Sequence, residues 1–177
     1  DRLSDLLLTP DLISSENLRK EGVPEEKIKF TGNIMIDTLE NNRTKSGKIH
    51  LNEIIKQNLV KSSNTLFPNI SDENYTVMTL HRPSNVDRKE ALEPIVRFMI
   101  DEVCPEIPLI WTIHPRTRKM LDNFGLLDEI MAHKNLFVLE PLGYLEMLKL
   151  NMHARVILTD SGGLQEECTV FIRNIWK

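Results

Sequence analysis

Apolar residues in this chain gather into short unbroken runs, and four runs lead straight into residues suited to holding an anion. Tyr75–Leu80 leads into His81-Arg82-Pro83-Ser84-Asn85, and Leu109–Ile113 into His114-Pro115-Arg116-Thr117-Arg118. Leu136–Leu139 leads into Glu140-Pro141-Leu142-Gly143-Tyr144, and Val156–Thr159 into Asp160-Ser161-Gly162-Gly163. Unbroken runs of this length are what strands buried on both faces look like. Between them the spacing turns helical. Asp87 is placed to cap a helix carrying Leu92, Ile95, Val96, Met99 and Ile100 that stops before Pro105. Further helices are predicted over Arg116–Phe124, with Gly125 as the stop, from Tyr144 to about Leu150, and onward from Gly163. Strand and helix alternate without a hairpin signal, which predicts an α/β protein with a parallel sheet and helices on both faces. All four strand ends then open onto one edge, where open sheets of this class place their ligands.

The first 40 residues follow a looser version of the same plan. Leu6–Leu8 reads as a strand, Ser14 or Ser15 as the cap of a helix that Gly22 stops, and Ile28–Phe30 as a second strand. From Ile34 to about Asn42 the spacing is helical again. Residues 41–64 are polar and lysine-rich, with apolar groups only at Ile49, Leu51, Ile54, Ile55, Leu59 and Val60, and read as a solvated helical connector. The resulting division is 1–40, a connector at 41–64, a region of regular strand–helix alternation at 65–170, and an odd tail at 171–177.

Composition narrows the functional classes. At 177 residues, 41% hydrophobic and 27% charged, the chain has the balance of a soluble globular protein. A net charge of −4 argues against coating nucleic acid. No apolar stretch approaches membrane-spanning length, so no membrane partner is expected. Cys104 and Cys168 stand apart from each other and from histidines at zinc-ligand spacing, as reduced thiols of a cytoplasmic protein do. No metal and no cofactor are expected. Neither a Walker loop nor a Gly-x-Gly-x-x-Gly turn is present, which sets aside ATPases and ordinary dinucleotide dehydrogenases.

The sharpest chemistry lies at the fourth strand end. Ser161, Gly162 and Gly163 place a hydroxyl and two residues without Cβ where a new helix has unsatisfied N–H groups, a geometry that suits a diphosphate. Glu167, one turn on, could accept from a ribose. The plain alternative is a serine-capped helix with a solvent-facing acid. His81-Arg82 and His114 with Arg116 can bind phosphate oxygens without a metal. Equally, each arginine could pair with a carboxylate such as Asp87 or Glu140, and each histidine could be a satisfied structural group.

Taken in order, Phe30-Thr31-Gly32-Asn33-Ile34-Met35-Ile36-Asp37-Thr38-Leu39, Thr79-Leu80-His81-Arg82-Pro83-Ser84-Asn85-Val86, His114-Pro115-Arg116-Thr117, Pro141-Leu142-Gly143-Tyr144-Leu145 and Leu158–Glu167 resemble the signature of non-hydrolysing UDP-N-acetylglucosamine 2-epimerases. The likeness runs from Asp1 to about Val170. It implies two Rossmann-like halves in a glycosyltransferase-B-like architecture, present here incompletely, with UDP-sugar held between them. It assigns Ser161, Gly162 and Gly163 to the diphosphate, Glu167 to ribose, the backbone near Met147 to uracil, and His81 to the phosphates as this chain's catalytic residue. His114 and Arg116 fall where a second UDP-sugar binds as effector. The implied reaction interconverts UDP-N-acetylglucosamine and UDP-N-acetylmannosamine by eliminating UDP and adding it back, and the implied assembly is a homodimer.

The proton-handling carboxylates of that family lie in its first domain, outside this chain. The absence of an initiator methionine, and a tail over 171–177 that departs from the family pattern, lead us to expect a fragment that lacks an interior strand, has little or no turnover and binds UDP weakly. Two other functions fit the same residues: a UDP-sugar glycosyltransferase, which would need an acceptor, and a non-catalytic nucleotide-binding module.

Overall fold

The computed structural model describes residues 3–60 and 70–171, together with the backbone of 174–176. The chain divides into two compact units, residues 1–41 and 42–177. In the first, β1 (Leu7–Thr9) pairs in parallel with β2 (Ile28–Phe30), and α1 (Leu12–Lys20) connects them. The cap of α1 is Asp11, not Ser14 or Ser15: the Ser14 amide donates to Asp11 Oδ1 at 2.7 Å. Ser15 is instead buried, its hydroxyl 2.6 Å from that of Thr9. Asp11 is extended, at φ −149° and ψ 166°, the conformation an N-cap needs. Gly22 ends the helix at φ +83°, as expected of a helix-stopping glycine. Leu6, Leu8, Leu12, Ile13 and Phe30 are each more than half exposed.

Helix α2 (Ile34–Gly47) runs on past the unit boundary, and α3 (Leu51–Asn58) follows in the second unit. Here the expectation of a solvated connector fails. Leu51, Ile54 and Ile55 are buried in a core of the second unit, and Val60 is buried as well. Spacing of i, i+3 and i+4 gives α3 one apolar face despite its lysines and asparagines, and that face packs on the sheet. Residues 61–64 of the connector lie outside the described residues.

The sheet of the second unit is built from β3 (Thr76–Thr79), β4 (Leu109–Thr112), β5 (Leu136–Leu139), β6 (Val156–Thr159) and β7 (Asn174–Trp176). Its order is β5-β4-β3-β6-β7 and every pairing is parallel. The alternation of side chains sorts each run between two faces. Met78, Leu109, Trp111, Leu136 and Val138 point into a core completed by α4 (Pro83–Val86), α5 (Lys89–Phe98), α6 (Pro115–Asn123) and α7 (Leu127–Ala132). Tyr75, Val77, Ile110, Phe137 and Ile157 point into the other, with α3, α8 (Tyr144–His153) and α9 (Gly162–Phe171). Two-sided burial is why the strand runs show no polar alternation.

Several boundaries differ from the sequence pattern. Asp87 does not cap α5: it closes the short α4, while α5 starts after Arg88 with no side-chain cap. Pro83 at the start of α4 explains the extra turn, because proline's fixed φ suits a first helical position. Beyond α5 the chain continues as a π-turn through Met99–Val103. Helix α7 was not anticipated. The interior strand expected to be missing is represented by three residues, Asn174–Trp176, paired with β6.

Tyr75 links the sheet to a helix end. Its hydroxyl, buried with the rest of the residue, donates to the Leu150 carbonyl at 2.8 Å. That carbonyl is among the last four of α8, which have no intrahelical partner. Tyr75→Phe is expected to destabilise the chain by about 1 kcal/mol. In urea unfolding this appears as a lower midpoint at unchanged slope; an unshifted midpoint would show that the bond contributes nothing.

Candidate functional site

The chain moves outward from β3 to β4 to β5, then returns to the other side of β3 as β6. The reversal opens a crevice at the carboxyl ends of β3 and β6, the place where such sheets bind ligands. The last residues of these strands are tied together, Thr79 Oγ1 to Thr159 Oγ1 at 2.7 Å. One residue further on, Asp160 bridges the crevice. Its carboxylate accepts the His81 amide at 3.0 Å, the Arg82 amide at 2.7 Å and Asn85 Nδ2 at 3.1 Å, while His81 Nδ1 stands 2.7 Å from Oδ1. Burial by itself would raise the Asp160 pKa. The hydrogen bonds from Arg82, His81 and Asn85, with the charge of His81, outweigh it and hold the group below the ordinary carboxylate range.

Helix α9 begins directly after this bridge. Ser161 caps it: its hydroxyl accepts the Leu164 amide at 3.4 Å, and its own amide donates to Thr159 Oγ1 at 3.0 Å. The amides of Gly162 and Gly163 are left without an acceptor among the described residues. Over them lies the Arg82 guanidinium, with Nη2 at 3.8 Å from where a Gly162 Cβ would stand. Arg82 has no carboxylate partner among the described residues. Two free amides, a hydroxyl and an unpaired guanidinium thus surround one helix N-terminus, an arrangement that favours an anion. Glu167 sits one turn along α9, half-buried, with Tyr144 Oη 3.5 Å from its Oε1. Desolvation raises its pKa, and the Tyr144 hydroxyl offsets part of that.

The neighbouring strand ends hold the other sequence candidates. His81, His114 and Met147 line one cavity of about 200 Å³ with Thr112, Ile113 and Leu142. The two imidazole centroids are 5.9 Å apart. His114 also has a local task, since its Nδ1 accepts the Arg116 amide at 3.2 Å and caps α6. Arg116 is engaged in a two-pronged pair with Asp87, at 2.7 and 2.5 Å, and Arg118 pairs with Glu140 at 2.8 Å. The structure therefore gathers His81, Ser161, Gly162 and Gly163 at the crevice, with His114 and Met147 beside it and Glu167 further along α9. It leaves the Arg116 guanidinium in an ion pair. A larger hollow, about 570 Å³, lies on the α5 side of the sheet among Met78, Pro94, Ile95, Phe98 and Leu158. It reaches the crevice through Asn85 and Asp160. Two residues of this site, Asp160 and Asn85, had no role in the sequence pattern, whereas Arg82 stands there as a phosphate-binding candidate. Among the described residues no cluster of three or more metal-binding side chains occurs, and no helix is long and apolar enough to cross a membrane.

Comparison with known proteins gives this geometry a lineage. A family model described as UDP-N-acetylglucosamine 2-epimerase matches residues 1–174. The UDP-N-acetylglucosamine 2-epimerase of Methanocaldococcus jannaschii is 39% identical over 172 residues, which cover 96% of this chain and 44% of that protein. The UDP-2,3-diacetamido-2,3-dideoxy-D-glucuronate 2-epimerase of Pseudomonas aeruginosa is 30% identical, over 97% of this chain and 42% of its own length. Among solved structures, the M. jannaschii UDP-GlcNAc 2-epimerase in complex with UDP-GlcNAc and UDP matches with a TM-score of 0.81 at 36% identity, over 99% of this chain and 45% of that one. The parallel Rossmann-like sheet is thus shared with enzymes of glycosyltransferase-B-like architecture, of which this chain presents an incomplete version. It spans less than half the length of these relatives. Matched by the family model along nearly its whole length, the chain belongs to the UDP-N-acetylglucosamine 2-epimerase family.

Proposed function

We propose that this chain supplies the nucleotide-holding side of an enzyme that interconverts UDP-N-acetylglucosamine and UDP-N-acetylmannosamine by eliminating UDP and adding it back. The observation that carries this reading is the convergence, at one crevice, of the free Gly162 and Gly163 amides, the Ser161 hydroxyl, the Arg82 guanidinium and the His81 ring. Elimination of UDP builds negative charge on the departing diphosphate, and donors fixed in advance stabilise it without having to reorganise. In this scheme Ser161, Gly162 and Gly163 hold the diphosphate, and His81 is the catalytic residue that touches its oxygens. Glu167 accepts from the ribose hydroxyls, and the backbone at Met147 contacts uracil.

The first 40 residues are read as the tail of a companion domain that carries the proton-transferring carboxylates. Their exposed Leu6, Leu8, Leu12, Ile13 and Phe30 support this, since a covering domain would bury such a patch. His114 and Arg116 are assigned to a second UDP-sugar acting as effector, one that would have to compete with Asp87 for the Arg116 guanidinium. A homodimer in the cytoplasm completes the proposal. Cys104 and Cys168, unpaired and pushed up by burial to about 11 and about 12, suit a reducing compartment.

Two outcomes test this reading. The 177-residue chain alone is expected to bind UDP yet to convert UDP-N-acetylglucosamine no faster than a buffer blank; robust conversion would contradict the assignment of proton transfer to another domain. Arg82→Ala is expected to weaken UDP binding about 10-fold, the worth of one charge-assisted hydrogen bond, whereas Arg116→Ala leaves it within about twofold, as removal of an exposed ion pair does. Calorimetric titration of both variants would reject the placement of the diphosphate if the two effects were reversed.

A further inference from the structure

His81 has two ring nitrogens, and the chemistry proposed for it depends on which one faces the ligand. Nδ1 lies 2.7 Å from Asp160 Oδ1. The Asp160 side chain is only 7% exposed and already takes two backbone amides and the Asn85 amide. An ionised carboxylate accepts and never donates. Nδ1 must therefore carry a hydrogen, and Nε2 is the nitrogen turned away from the carboxylate. The His81 ring also lines the cavity shared with His114 and Met147 at the carboxyl ends of β3, β4 and β5, while its contact with Asp160 places it one residue from Ser161.

Asp160 is a poor ligand for a nucleoside diphosphate, since it is buried, negatively charged and fully engaged. Its influence has to pass through the groups it holds. We propose that Asp160 is a positioning residue: it fixes the His81 ring as the Nδ1–H form, so that Nε2 is the nitrogen that meets the diphosphate of a UDP-sugar. By gripping the His81 and Arg82 amides with the same two oxygens, it also sets the loop after β3 at a constant distance from Ser161, the next residue in its own chain. One side chain thereby aligns the two halves of the anion cradle. The inference rests on the proposed nucleotide site, and its test keeps the two separable.

The measurement is a long-range proton–nitrogen correlation spectrum of the uniformly labelled 177-residue chain, recorded at alkaline pH where imidazoles are neutral. Wild type is expected to show His81 with its proton on Nδ1 and a bare Nε2, and added UDP is expected to move the Nε2 signal and spare Nδ1. A bare Nδ1 with the proton on Nε2 would overturn the proposal, whether or not UDP binds. Asp160→Asn offers an amide where the carboxylate accepted four donors, so His81 is expected to redistribute between tautomers and UDP affinity to fall about 10-fold, the scale of one charge-assisted bond. Unchanged tautomer and affinity in that variant would also overturn it. If Asp160→Asn does not fold, the wild-type spectrum decides alone. The Nδ1–H form in a chain that binds no UDP would uphold the role of Asp160 toward His81 and sink the proposed function instead.

Discussion

A buried carboxylate stretched across a gap between two strands is the constraint on which the rest of this site depends. Parallel strands need no side-chain link to pair, but their ends are free to splay where the chain leaves the sheet. Asp160 prevents this between β3 and β6 by collecting three N–H donors and a ring nitrogen from the far side. Taking a charge out of water is costly, and four donors on one carboxylate are what offset that cost. The site is built where the sheet reverses its order, and there backbone pairing alone cannot hold the two loops in register. Thr117, whose hydroxyl donates to the Leu80 carbonyl, anchors the same loop from the α6 side.

Cations around the edge divide into those the fold has used and those it has not. Arg116 and Arg118 face Asp87 and Glu140, and His114 caps its own helix. Arg82, the third residue after β3, has no such neighbour among the described residues and lies over the start of α9. Four cationic or imidazole positions that look equivalent along the chain are therefore unequal in space. The difference comes from which carboxylates the loops carry alongside them: Asp87 is delivered to Arg116 by the short α4, a turn that depends on Pro83.

Much of this was legible in the sequence because burial on two faces leaves a plain mark. The runs at Tyr75–Leu80, Leu109–Ile113, Leu136–Leu139 and Val156–Thr159 became β3, β4, β5 and β6 within a residue at each end, and the glycine stops at Gly22 and Gly125 appear at positive φ. What escaped notice was either one-sided or relational. Leu51, Ile54 and Ile55 make a narrow apolar stripe diluted by polar neighbours, so composition hid a core helix. Asp11 outcompeted two serines as a cap because it stands at the turn itself. Asp160 was visible only as a member of a motif. Its partners lie about eighty residues earlier, and no local pattern shows that a strand from one part of the chain will settle beside one from another. A polar residue directly after a buried strand, opposite a loop with free amides, is the signal that could have found it.

The central claim is that the switch point between β3 and β6 holds a diphosphate, and mapping UDP onto the backbone amides of the intact chain tests it most directly. The largest shifts are expected at Gly162, Gly163, His81 and Arg82, with a smaller group reaching Glu167. Shifts confined to the groove around Arg118, Lys119 and Asp122, or no shifts at saturating UDP, would contradict it.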